Sequence, residues 1–168
     1  MDKTVRINGL SEETIKAAAR NLRRYAEWVA RKEDELIRKL AERGRAVAEV
    51  KITGATYDGT NDVKVRVDNT GSVAVIYAEG EAVAFIEFGS GATMGGGHPE
   101  AGKHGLGPGT WSTDESLGGK GHWDDPNGWY YEHGKKSHGN PPAMAMLSAR
   151  DTIVEELTTI AREVFGTA

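Results

Sequence analysis

The chain contains no cysteine, which excludes disulfide frameworks and thiolate metal centres. No apolar run approaches the roughly 20 residues that a membrane-spanning helix needs. The opening residues, Met1-Asp2-Lys3-Thr4-Val5-Arg6, are charged and lead into no apolar core, so neither a secretory leader nor a membrane partner is expected. No serine or threonine stands in the context of an activated nucleophile. A strong charge of one sign is also lacking. The net charge is −4, built from a basic first quarter (12 basic and 8 acidic groups in residues 1–45) and acidic remainders. That argues against tight binding of duplex DNA by the molecule as a whole, while the basic N-terminal segment alone could touch phosphate. At 168 residues the chain fits one domain, residues 1–168.

The residues present divide the chain by period. Residues 5–7 suit a short strand. Ser11 is a natural N-cap, with Glu12 and Glu13 in the first turn, where the helix dipole favours acids. Ile15, Ala18, Leu22, Tyr25 and Val29 then recur at 3–4 spacing, and Leu36, Ile37 and Leu40 resume it, so a helix of about 30 residues is expected to stop at Gly44. Such a helix is long for so small a domain. Its apolar stripe suits a core face or a self-associating, coiled-coil-like seam. A strand is expected around 47–56. Val63, Val65 and Val67 alternate with charged residues, and Val73, Val75 and Tyr77 continue the pattern after Asp68-Asn69-Thr70-Gly71. Ala82–Phe88 is apolar on both faces and is expected to be the most buried strand of an antiparallel meander.

Residues 89–140 differ in kind. They hold 15 of the 22 glycines, all five histidines and three of the four tryptophans. Long structureless inserts are unusual in compact domains, and Trp111, Trp123, Trp129, Tyr130 and Tyr131 call for burial. The segment therefore reads as an extended arm that orders by packing on something, with residues 92–138 dispensable for folding. Asn140-Pro141-Pro142 then opens a last helix, with Asn140 as cap and proline in the first turn. Met146, Leu147, Ile153, Val154, Leu157, Ile160, Ala161 and Val164 give it an apolar face against the sheet, and it ends near Gly166. The fold class is α+β.

Three chemical motifs fall short. Gly97-His98-Pro99-Glu100-Ala101-Gly102-Lys103-His104 imitates a phosphate-binding loop, but His104 replaces the magnesium-holding Ser or Thr, and Gly105-Leu106-Gly107-Pro108-Gly109 cannot supply the helix that must follow. His98, His104, His122, His133 and His138, with Glu100, Asp124, Asp125 and Glu132, show no metal-ligand spacing, and Asp124-Asp125-Pro126-Asn127-Gly128 reads as turn chemistry. No catalytic residue, cofactor or metal is expected, and hence no enzyme. An alternative is a carbohydrate- or metal-binding module that uses the Trp/His-rich arm, with Trp111, Trp123 and Trp129 as the stacking residues.

Ala82-Val83-Ala84-Phe85-Ile86-Glu87-Phe88-Gly89-Ser90-Gly91 resembles a motif of the neck, or minor tail, proteins of long-tailed bacteriophages, the gene-product-ten family. Its members run in the same order: a long helix, a small antiparallel sheet ending in an "E-x-G-[ST]-G"-like turn, a variable loop and a proline-led helix. Glu87-Phe88-Gly89-Ser90-Gly91 fits the turn, Asn140-Pro141-Pro142-Ala143-Met144 the last helix start, and Gly128-Trp129-Tyr130-Tyr131 the version with an extended loop. These motifs cover about a sixth of the chain. The departure is the loop, which is longer and richer in Gly and Trp. The resemblance implies a non-enzymatic virion protein at the head–tail junction, assembled in the bacterial host cytoplasm. It implies a sixfold or twelvefold ring around the DNA channel, contacts with other neck, head-connector and tail proteins, and DNA that passes without sequence-specific binding. The interface residues it implies are Phe85, Glu87, Phe88, Gly89, Gly91, Pro141, Pro142 and Met144, with Trp111, Trp123, Trp129, Tyr130 and Tyr131 from the arm.

Overall fold

The computed structural model describes residues 11–57, 59, 61–91, 97–104, 129–131, 135–137 and 139–166. The architecture is α+β. A long helix, α1 (Glu12–Thr53), leads to a hairpin, β1 (Lys64–Thr70) and β2 (Val73–Glu79). A short helix follows, α2 (Val83–Phe88), and then a 3-10 turn (Ala101–His104). A second small hairpin, β3 (Trp129–Tyr131) and β4 (Lys135–Ser137), precedes α3 (Ala145–Gly166). The expected strand at 5–7 lies outside the described residues. None of the described helices is long and apolar enough to cross a membrane.

Ser11 caps α1 as its sequence position suggests, its hydroxyl accepting the Thr14 N–H at 3.3 Å. The helix then runs for 42 residues, straight through Gly44 and through the strand expected at 47–56. Gly44 does not end the helix because its missing Cβ is needed. A Cβ there would lie 2.6 Å from both Ile153 Cδ1 and Ile76 Cδ1. The glycine marks where α3 and the sheet converge on α1, and that packing outweighs its poor helix propensity of about 1 kcal/mol. Small residues continue the stripe, since Ala41, Gly44, Ala48 and Ile52 are all buried. The helix stops at Gly54, where the Asn61 side-chain amide donates to the carbonyls of Ile52 (2.6 Å) and Ala55 (3.0 Å).

The hairpin is two-stranded, not a meander, and its register corrects the expected phase. Val67 pairs with Ile76 and Val65 with Ala78 across an antiparallel ladder. Paired residues share a face, so Ala74, Ile76 and Ala78 point inward with Val65 and Val67, while Val73, Val75 and Tyr77 point out. The segment expected as the most buried strand is instead helical over Val83–Phe88, with Ala82, Ile86 and Glu87 buried and the rest half-buried. An apolar run with no polar face suits either element, and Asp62 holds the turn that leads in: its carboxylate accepts the N–H groups of Glu81 (2.5 Å) and Ala82 (3.1 Å), just before the first helical residue.

Antiparallel to α1, α3 lies chiefly against that helix as well as the sheet. Trp28 meets Phe165 edge-on at 6.0 Å, and Arg43 grips the Glu156 carboxylate with two N–H groups, at 2.8 and 2.7 Å. The core between α1, α2, α3 and the hairpin is built of Ala48, Ile52, Ala82, Ile86, Ala145 and Ala149.

Gly44→Leu should lower stability by about 2 kcal/mol through overpacking, read as a shift of the urea midpoint at unchanged slope. Acid titration gives a second expectation. Accepting the Glu81 and Ala82 amides holds the Asp62 carboxyl below its usual value. A depressed pKa contributes stability above the unfolded value that is lost as pH falls through the native one. Asp62→Asn removes that component, so between neutral pH and the acid side of the usual Asp range the variant should lose less of its stability than the parent.

Candidate functional site

The two motifs that lie 50 residues apart in sequence meet in space. Ser90 and Asn140 form an isolated antiparallel bridge, with N–H to carbonyl distances of 2.9 and 3.1 Å, and the Ser90 hydroxyl donates to Asn140 Oδ1 at 2.5 Å. Around this bridge the C-terminus of α2 faces the N-terminus of α3. Each leaves backbone groups without partners in its own helix. The carbonyls of Phe85, Ile86 and Glu87 accept from the Asn140 amide (2.9 Å), the Ala143 N–H (2.8 Å) and the Met144 N–H (3.2 Å). The Glu87 carboxylate turns the other way and accepts the N–H groups of Ala145 (2.7 Å), Met146 (3.1 Å) and Leu147 (3.2 Å). A carboxylate at a helix N-terminus is favoured by hydrogen bonding and by the dipole together.

The cap of α3 is thus Glu87 and not Asn140, and the helix begins at Ala145, three residues beyond Pro142. Asn140 instead seals α2. Met144 enters the helix with φ +51°, the single positive φ outside glycine among the described residues. Gly89, at φ +76°, closes the other side: a Cβ there would lie 2.8 Å from Pro142 N and 2.9 Å from the Asn140 carbonyl. Gly139 is tighter still, its hypothetical Cβ only 2.0 Å from the Ser90 oxygen.

Residues 97–104 lie over this joint. His98 is buried, its ring edge-on to Phe88 at 4.5 Å. Its Nδ1 accepts the Glu100 N–H at 3.1 Å, which leaves Nε2 to carry the proton towards Glu87 Oε1 at 3.4 Å. Glu100 accepts from Arg150 on α3 at 2.5 Å, and that guanidinium holds its carboxyl below the usual range. The phosphate-loop imitation is therefore a turn with a short 3-10 helix, docked through His98 and Ala101. This part of the expected arm packs on the body. Beside it opens a cavity of about 330 Å³ lined by Val83, Phe88, His98, His104, Met146 and Arg150. With three amides on its oxygens, the Glu87 carboxylate is committed to structure and is a poor candidate for proton transfer. Among the described residues no group of three His, Asp or Glu side chains is placed to hold a metal.

Of the expected interface residues, Glu87, Gly89 and Gly91 are buried within the chain, Phe85, Phe88, Pro142 and Met144 are half-buried, and Pro141 is exposed. Phe85 stacks on Tyr57 at 4.3 Å. Trp129, Tyr130 and Tyr131 form β3, in register with Ser137, Lys136 and Lys135. Trp111 and Trp123 lie outside the described residues, as do His122, Asp124, Asp125, Glu132, His133 and His138. Sequence reading missed Gly44, Asp62 and Gly139. Only Gly44 carried a signal, as the continuation of the Ala41–Ala48–Ile52 stripe.

The exposed surface is the larger surprise. Among the described residues the buried apolar ones are Ala41, Ala48, Ile52, Ala82, Ile86, Ala101, Ala145, Ala149 and Val164, mostly alanine. The large ones stand outside: Leu22 is 57% exposed, Val75 50%, Val154 68% and Val50 76%, joined by Ile15, Tyr25, Val73, Tyr77 and Leu157. All but Val50, in the last turn of α1, fall on three surfaces: the first turns of α1, the outer face of the hairpin and the outer face of α3. Comparison with known protein families, curated proteins and solved structures finds no match.

Removing the Glu87 cap by Glu87→Ala should destabilise the chain by about 2–4 kcal/mol, since three buried amides lose a charged acceptor. Gly89→Ala strains a left-handed residue and pushes its Cβ into the Pro142 backbone. Both changes open the same joint, so the double variant should lose clearly less than the two single losses combined, measured as a double-mutant cycle in urea.

Proposed function

We propose that this chain is a structural, non-enzymatic protein of the neck of a long-tailed bacteriophage, one subunit of a ring that joins head to tail around the DNA channel. The reading is carried by the joint. The two short motifs behind the resemblance, Glu87–Gly91 and Asn140–Met144, serve a single structural purpose: together they fix the entry of α3. Motifs matched by chance have no reason to meet.

The surface supports the same reading. A chain that buries alanines and exposes valine, leucine and tyrosine on three surfaces is shaped for apolar neighbours. A ring made by one subunit type needs two different patches per copy, each complementary to the other. Further exposed faces would serve the other neck, head-connector and tail proteins. The net acidic balance suits a channel through which DNA slides without sequence-specific contact. The protein would then reside in the virion, after assembly in the host cytoplasm, with no membrane partner.

Labelling the protein in particles of the phage that encodes it tests this. Electron microscopy should place about six or twelve copies in one ring at the head–tail junction, and heads and tails made without it should fail to join. Label on the capsid surface, or none in particles, would overturn the reading.

A further inference from the structure

The partner of α3 on α1 runs out before α1 does. Phe165, at the end of α3, meets Trp28, and α1 continues beyond that contact for residues 12–27, about 24 Å at 1.5 Å per residue. Along this overhang Ile15, Ala18, Leu22 and Tyr25 keep the 3–4 spacing of a packing seam. Ile15 is 53% exposed and Leu22 57%. A second seam faces outward on α3, where Val154 and Leu157 stand exposed three residues apart. We propose that these two seams meet between copies: the α1 overhang of one chain docks on the outer face of α3 of the next.

Charge selects this pairing over the others. The overhang carries Lys16, Arg20, Arg23 and Arg24 against Glu12, Glu13 and Glu27, and Arg20 and Arg23 have no ion-pair partner among the described residues. The α3 seam is flanked by Asp151 and Glu155, the latter likewise without an ion pair among the described residues. The helix as a whole carries Arg150 and Arg162 against Asp151, Glu155, Glu156 and Glu163. Two overhangs packed on each other would bring Arg20, Arg23 and Arg24 of both copies together, which like-charge repulsion disfavours. The outer hairpin face offers no net attraction: Lys64 and Arg66 balance Asp68 and Glu79, and Arg66 is already paired with Glu79. Of the three described apolar surfaces, the overhang is net basic, the hairpin face neutral and α3 net acidic, so overhang on α3 is the combination that joins net charges of opposite sign.

Two different patches on one chain make a head-to-tail contact, which propagates until it closes. The contact deepens the ring reading above and rests on it for closure. Its apolar centre is only a few side chains wide, so association of the free chain should be weak and should tighten when a ring is nucleated.

The absence of native cysteine makes engineered thiols clean reporters. Leu22→Cys and Val154→Cys replace exposed side chains, and unchanged melting curves would show that both variants fold. Treated with a short bis-maleimide at the highest soluble concentration, the mixed variants should give a crosslinked pair in clear excess over either variant alone. Arg23→Glu in the Leu22→Cys chain should cut that yield several-fold, and Glu155→Lys in the Val154→Cys chain should restore it. The proposal is overturned if Leu22→Cys crosslinks to itself as well as to its partner, if it couples to Val75→Cys instead, or if no pair forms. Chain found at the head–tail junction without this crosslink overturns the contact alone. A crosslink in a chain absent from the junction overturns the neck reading alone.

Discussion

The first N–H groups of α3 have no acceptors in their own helix, and a carboxylate from 58 residues earlier in the chain takes them. Nearly every other feature of the molecule presupposes this contact. Glu87 reaches α3 from the end of α2, and Asp62 fixes the turn that leads into α2 by accepting the amides of Glu81 and Ala82. The Ser90–Asn140 bridge and the glycines at 89 and 139 bring the two chain segments close enough for the carboxylate to act. His98 and the Glu100–Arg150 pair then cover it. The long excursion between residues 91 and 139 thus leaves from and returns to a single pinned point, and its residues 97–104 fold back over that point.

With α3 held in this way, packing uses small residues. Gly44 admits Ile153 and Ile76 to the surface of α1, and Ala48, Ala145 and Ala149 let the helices approach closely. Close approach buries backbone and Cβ atoms but leaves little room for large side chains, and Ile86 and Val164 are the only large ones fully enclosed among the described residues. Many of the other large apolar groups are half-buried, and nine stand exposed among the described residues. A core of this kind yields modest stability by area burial, and the surface it leaves is suited to neighbours. The same economy of side-chain size therefore shapes both the fold and the assembly surface.

Periodicity made much of the fold legible. The Ser11 cap, the helical period of α1 and α3 and the alternating Val63–Val65–Val67 segment reported local geometry, because 3.6- and 2-residue periods are written directly into residue order, although Val154 and Leu157 of the expected α3 face stand exposed. Besides the strand at 47–56, the meander and the phase of β2, readings failed where a local signal met a tertiary one. Gly44 looks like a helix stop, but a missing Cβ serves equally to admit a neighbour. Ala82–Phe88 is apolar on every side, and a run with no polar face carries no phase to separate strand from helix. Asn140 before two prolines looks like a helix cap, but its side chain was needed by α2, and the competing acceptor lay in a distant segment. The candidate site was legible as two short motifs; their meeting was not.

The sequence by itself determined the fold class, the number of long helices and the position of the hairpin turn, because these depend on interactions within a few residues. It also determined the absence of thiol chemistry, and it pointed to the two motifs. Only the tertiary structure decided which face of β2 is buried, since the ladder register pairs Val67 with Ile76 and so turns Val73, Val75 and Tyr77 outward. Only the tertiary structure decided that Glu87 caps α3, because a charged acceptor is drawn to unsatisfied amides wherever the chain path brings them together, and no spacing rule records a partner 58 residues away.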